Sequence, residues 1–225
     1  MRNAGRRLLR SAIGPLLNPV QRARQTQLAL LPNLPGRVVM LGDSITEGGV
    51  WNELLPDVPA INRGVGGETA AQVLARLDLV INAPRAVFLL VGTNDIASGL
   101  PTARILDDVS RILAGIETRA PGTPVVVQSI MPRALSYREE VLFVNARLVE
   151  LVRRAGAHIS YLDLWPALAD ADGALRAEFT EDRLHLNGDG YAAWLDVLRP
   201  AVELAIADVT PAAGQGRSAR RRGTA

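Results

Sequence analysis

Five short apolar runs, falling near residues 37–41, 58–62, 86–91, 124–129 and 158–162, alternate along this chain with longer amphipathic stretches. Uninterrupted runs of this length suit strands buried on both faces, and the amphipathic stretches between them supply the crossover helices that parallel pairing requires. Helical patterns fall near 50–55, 69–80, 102–119, 138–155 and 188–208. Thr102 is placed to cap the third and Gly156 to end the fourth, while Pro84, Pro121 and Pro124 mark connections. With right-handed crossovers the pattern predicts an α/β fold, a three-layer α/β/α sandwich on about five parallel strands. The strand order does not follow from these elements.

At 225 residues, with 48% hydrophobic and 21% charged positions, the chain has material for one sizeable core and is short for two, since domains run to about 100–200 residues. The expected organisation is a basic, helical N-terminal extension over 1–36, one domain over 37–208 and a disordered basic tail over 209–225. Charge is partitioned accordingly. Residues 1–42 hold seven Arg and no acid, residues 212–225 hold four Arg and no acid, and the folded stretch 43–211 carries 14 Arg against all 23 acids. An acidic domain lacks the basic face that nucleic-acid binding wants, so no nucleic-acid partner is expected. The arginine-rich ends read as solvated, with weak contact to anionic lipid as the alternative.

There is no cysteine, so disulfides and thiolate chemistry are excluded. His158 and His185 are the only histidines, which leaves a three-ligand zinc site short of nitrogen donors. No spacing asks for a metal, and neither metal nor cofactor is expected. Gly5-Arg6-Arg7-Leu8-Leu9-Arg10 has the outline of a twin-arginine start, but Gly14 and Pro15 interrupt the apolar stretch after it and no A-x-A cleavage pattern precedes the first strand. No run approaches the roughly 18 apolar residues of a membrane span. Leu9, Ile13, Leu16, Leu17 and Val20 fall near one face of an appended helix or two, a stripe suited both to packing on the domain and to lying on a membrane. The expected location is the cytoplasm, with peripheral membrane or exported placement as the alternative, and the oligomeric state is left open.

Four stretches fall where an open parallel sheet gathers its chemistry, at the carboxyl ends of strands. Gly42-Asp43-Ser44 follows the first apolar run and puts a hydroxyl there, a candidate nucleophile; the plainer reading is that Asp43 or Ser44 caps the next helix. Asn62-Arg63-Gly64-Val65-Gly66-Gly67 follows the second run, either a tight turn or a place where a backbone N–H approaches a ligand. It fails the dinucleotide fingerprint, because Thr69 stands where the third glycine would be. Gly92-Thr93-Asn94-Asp95 ends the third run, and the Asn94 amide can donate to a developing oxyanion or close an Asx turn. Late in the chain, Asp182 precedes His185 by three residues, a spacing that lets a carboxylate hold the imidazole tautomer while the other ring nitrogen takes a serine proton. His158 opens an apolar run with Arg154 rather than an acid nearby, and reads as structural.

In order and approximate spacing these blocks resemble those of the SGNH hydrolases, also called the GDSL family of serine esterases and lipases, over residues 37–208. The G-x-S-x-G elbow of the larger α/β-hydrolases is absent. The stretches beginning at Trp51 and at Leu184 resemble the bacterial branch near the platelet-activating-factor acetylhydrolase catalytic subunits. The resemblance implies a flavodoxin-like sheet in the order 2-1-3-4-5. It places the nucleophile on Ser44, the acid and base on Asp182 and His185, and the oxyanion donors on the backbone N–H groups of Ser44 and Gly67 and the amide of Asn94.

The implied activity is hydrolysis of small-molecule carboxylic esters through an acyl-serine. Acyl transfer to a sugar or alcohol, or a non-catalytic binding module on the same fold, are the alternatives. Asp43 and Asp95 are expected to brace their turns through nearby backbone N–H groups. Aromatics are 4% of residues and the segments 46–57, 95–101 and 130–138 are short, which favours short acyl groups such as acetyl over long chains.

Overall fold

The computed structural model describes residues 18–207. The apolar runs form strands β1 (Val38–Gly42), β2 (Ala60–Gly64), β3 (Ala86–Leu90), β4 (Val125–Gln128) and β5 (Ile159–Leu162). All neighbouring pairs are parallel and the sheet order is 2-1-3-4-5, as the resemblance implied. The described helices are α1 (Pro19–Leu28), α2 (Ser44–Glu47), α3 (Trp51–Leu54), α4 (Ala70–Ala75), α5 (Leu77–Val80), α6 (Thr93–Ala97), α7 (Thr102–Arg119), α8 (Arg138–Ala155), α9 (Trp165–Leu168) and α10 (Gly188–Ala207).

Successive residues of the central strands feed two cores, because side chains alternate across a pleated sheet. Val39, Leu41, Val87, Leu89, Val125 and Val127 pack with α4, α5, α7 and α8 on one face. Val38, Met40, Ala86, Phe88 and Val126 pack with α3, α9 and α10 on the other. Helix α7 shows how the pattern becomes packing: Ile105, Val109, Ile112, Leu113 and Ile116 recur at helical spacing and are all buried. Each such side chain contributes about 1.5–3 kcal/mol of hydrophobic burial. Among the described residues no helix is long and apolar enough to cross a membrane.

Three local expectations change. Pro101, with φ −58° and ψ 138°, is the N-cap of α7, so Thr102 is already helical and its side chain makes no capping bond. The stretch expected as one helix over 69–80 divides at Arg76 (φ −114°, ψ 13°) into α4 and α5, as the Arg76 side chain turns into the core. His158 does have an acid at hand, Glu117 of α7, whose Oε2 lies 2.9 Å from its Nε2. On α1, Val20 is 73% exposed, and the buried positions are Gln21, Gln25 and Leu28. The remainder of the expected apolar stripe, Leu9, Ile13, Leu16 and Leu17, and the tail 209–225 lie outside the described residues. Gly156 ends α8 as expected, at φ 135°, a conformation open to glycine at little steric cost.

Candidate active site

Strand β1 delivers Ser44 through a turn in which no side chain fits at Gly42: a Cβ there would collide with Leu90 O and Thr46 Oγ1. Asp43 then caps α2, its Oδ1 accepting the Ile45 N–H at 3.0 Å, so capping belongs to Asp43 and the Ser44 hydroxyl is left for other work. That hydroxyl lies 3.0 Å from His185 Nε2, and His185 Nδ1 lies 2.6 Å from Asp182 Oδ2. An ionised carboxylate can only accept, so the proton of the second contact is on Nδ1 and Nε2 is the ring nitrogen able to accept from serine.

Asp182 organises its own loop as well. Its Oδ1 accepts the backbone N–H groups of Leu184 at 2.9 Å and His185 at 2.7 Å, across Arg183 at φ 65°, a left-handed conformation unusual for arginine. Partial burial pushes the Asp182 carboxyl upward, but the His185 ring and these two N–H groups outweigh it and hold its pKa at about 2.

An aromatic group ties this loop to the serine turn. Trp51 and Trp194 meet edge to face at 4.8 Å, Tyr191 and Trp194 stack at 5.9 Å, and all three send a hydrogen bond elsewhere. The Trp51 indole donates to Thr46 O at 2.8 Å, the Tyr191 hydroxyl to Ile45 O at 2.7 Å and the Trp194 indole to Gln128 Oε1 at 2.9 Å. The first turn of α10 is thus fastened to α2, which brings residues 44 and 185 together across the chain.

On the opposite flank the glycine-rich turn lies against the serine: a Cβ at Gly66 would stand 3.7 Å from Ser44 Cβ, and Gly67 takes φ 72°. Asn62 braces this turn, accepting the Gly64 N–H at 2.8 Å and donating to Glu47 O and Gly49 O, each at 2.8 Å. Asn94 Nδ2 donates to Glu68 O at 3.0 Å, which orients the amide and leaves its second N–H for another acceptor. Asp95, besides its own N–H, takes the Ala70 N–H through both oxygens at 3.1 and 3.0 Å. This corrects the expectation of a purely local brace: the main bond crosses 25 residues to the start of α4.

Beneath these residues is a polar layer that sequence reasoning missed. Glu68 and Arg76 have wholly buried side chains and meet at 2.6 Å; Arg76 Nη2 also donates to Gly42 O at 3.1 Å, and Gln25 Nε2 donates to Glu68 Oε1 at 2.6 Å. Burial pushes the Glu68 carboxyl up, against the pull of Arg76 and Gln25. Burial also raises Asp43 to about 7 and Asp95 to about 6. Asp43 Oδ2 and Thr46 Oγ1 have no partner among the described residues. No local signal marks this layer, because Glu68 in its loop and Arg76 between α4 and α5 read as solvated charges until packing buries them.

A surface groove of about 600 Å³ lies between α7 and α8 beside Glu117, Arg154 and His158, and contains none of the candidate residues. Among the described residues no three of His, Asp and Glu are grouped to hold a metal ion.

The family model for the GDSL-like lipase/acylhydrolase family matches residues 40–193. The chain is 31% identical over 189 residues to the platelet-activating factor acetylhydrolase IB subunit alpha1 of Bos taurus, covering 80% of this chain and 79% of that one. To the alpha2 subunit of Homo sapiens it is 29% identical over 177 residues, 74% and 75% of the two chains. A GDSL-like lipase from Bacteroides thetaiotaomicron shares the fold at a TM-score of 0.62 and 25% identity, over 82% of this chain and 98% of that one. A carbohydrate esterase family 3 protein from Talaromyces cellulolyticus, 20% identical with a TM-score of 0.64 over 78% and 100% of the two chains, is alike in fold.

Proposed function

Because this chain belongs to the GDSL-like lipase/acylhydrolase family and is an ester hydrolase, we propose that it works through an acyl-enzyme on Ser44 and takes short acyl esters, acetyl esters first among them. Ser44 Oγ attacks the ester carbonyl carbon while His185 Nε2 takes the hydroxyl proton; the ester C–O bond then breaks and the same proton leaves with the alcohol. In the second half His185 takes a proton from water, the hydroxide attacks the acyl-serine, and the proton returns to Ser44 Oγ as the acid departs. Asp182 holds the Nδ1–H tautomer and stabilises the imidazolium. The N–H groups of Ser44 and Gly67 and the amide of Asn94 receive the negative oxygen.

The row of contacts from Ser44 Oγ to His185 Nε2 at 3.0 Å and from Nδ1 to Asp182 Oδ2 at 2.6 Å carries this reading. Three things support the acyl preference: the short segments around the cleft, the partly exposed Ser44, and relatives named for removing an acetyl group. A fluorophosphonate probe is expected to add one mass adduct, on Ser44, and none in Ser44→Ala. Rates on p-nitrophenyl esters are expected to fall as the acyl chain lengthens beyond acetyl and butyryl. No adduct on Ser44 would remove the acyl-enzyme, and a preference for long chains would remove the acyl assignment alone.

A further inference from the structure

Helix α1 buries two glutamines and a single leucine, an odd choice for a helix held only by hydrophobic contact. A glutamine amide loses its water on burial and is retained where specific hydrogen bonds replace it. Gln21, Gln25 and Arg24 lie on neighbouring turns of one face, and their reach has a common target, the loop 64–68.

Gln25 Nε2 donates to Glu68 Oε1 at 2.6 Å. Arg24 Nε donates to Gly64 O at 3.3 Å and pairs at 3.0 Å with Glu47 Oε1, while the other oxygen of that carboxylate accepts the Gly66 N–H at 2.6 Å. Gln21 Nε2 would stand 3.4 Å from a Cβ built on Gly67, so it backs the backbone of that residue. From the other side the loop is held by Arg76 on Glu68 Oε2 and by the Asn94 amide on Glu68 O. Glu68 is therefore one residue from Gly67, one hydrogen bond from Asn94 and one from Gln25.

We propose that α1, which precedes the stretch matched by the family model, is an arm of the active site whose Gln25 and Arg24 are positioning residues for the oxyanion donors Gly67 and Asn94. The proposal rests on the assignment of those two donors given above. Gln25 and Arg24 act on catalysis through Glu68, Glu47 and the loop backbone. A displacement of about 1 Å in such donors costs up to about a hundredfold in rate, because an oxyanion hole works only when its dipoles are already in place.

The test uses the full chain with p-nitrophenyl acetate as substrate and an arylboronic acid, which adds to serine as a tetrahedral anion, as transition-state mimic. Gln25→Met keeps the volume and removes the donor. It is expected to lower kcat about ten- to a hundredfold with KM within about twofold, and to weaken boronate inhibition in step with kcat. Leu28→Ala, which loosens the same helix at its apolar anchor, is expected to lower Tm at least as much while kcat stays within about twofold. Equal loss of kcat per degree of Tm in the two variants would make α1 a mere brace and overturn the proposal. So would an unchanged kcat in Gln25→Met beside a reduced one in Asn94→Ala. An unchanged kcat in Asn94→Ala would bring down the oxyanion assignment and the proposal with it. Should Gln25→Met fail to fold, the partly exposed Arg24→Gln takes its place: a fall in kcat at constant KM supports the arm, and an unaltered kcat refutes it.

Discussion

The side chains of Asp182 and His185 are 52% and 49% exposed, whereas Glu68 and Arg76, on the other side of Ser44, are 0% exposed. The two flanks reach precision by different means. The flank of the proposed acid and base is a short exposed turn, held by one carboxylate that takes two backbone N–H groups and one ring N–H. Its bonds are local and cheap to form, and their electrostatics are screened. The flank of the proposed oxyanion donors rests on a layer of charges and amides buried together, in which breaking one partner strands another at a low-dielectric site. In the proposed mechanism protons move on the first flank, where the exposed ring has room to exchange partners. In that mechanism charge is only received on the second, where rigidity is the requirement.

Substituting one carboxylate on each flank tests that division most severely. Asp182→Asn should cut kcat by about 10²–10⁴-fold with little change in Tm, because the amide can still accept the loop N–H groups but no longer the Nδ1–H tautomer. Asp95→Asn should do the reverse, disturbing stability more than turnover. If Asp95→Asn impairs folding less and turnover more than Asp182→Asn, the assignment of the acid is wrong. Thermal melts and steady-state rates on both variants decide it.

Arg76→Met comes next, with an expected loss of about 3–5 kcal/mol in denaturant unfolding, since Glu68 keeps its burial and loses its cation. A loss comparable to that of a surface ion pair would show that the layer is wetter than the geometry implies. Asn94→Ala should keep the fold and lose about 10²–10³-fold in turnover. An unchanged rate removes it from the oxyanion site.

The smallest effect is in pH dependence. The folded state holds the Asp43 proton up to about 7, against 3.8 for an ordinary aspartate, so between these values it binds more protons than the unfolded chain. The Asp43 contribution is therefore present in full below the unfolded pKa and lost as pH rises through the folded one. Asp95 adds the same sign up to about 6. In Asp43→Asn the fall of Tm between about pH 4 and pH 7 should be shallower than in the parent chain; an equal fall would mean that Asp43 is ionised in place.

Apolar pattern carried much of this molecule. The runs at Val38, Ala86 and Val125 announced strands because both faces of a covered parallel sheet are apolar, and Ile105 to Ile116 announced a helix by its spacing. Ser44, Asp182 and His185 were legible as blocks, and the fold brings the three side chains into one row. Other polar residues have distant partners that no local pattern marks. Asp95 finds Ala70, His158 finds Glu117, and Gln25 finds Glu68 across 43 positions. The apolar stripe that includes Val20 suited both packing on the domain and lying on a membrane; in α1 Val20 is exposed, and Gln21 and Gln25 are buried.

Layering, helix placement and the identity of the chemical blocks thus follow from the chain, since hydrophobic periodicity and turn residues act over a few neighbours. Which polar groups are buried, and whom they bind, emerged from assembly alone. A buried amide or charge is stable only opposite a complementary group, and that group is supplied by whichever segment the packed sheet brings alongside.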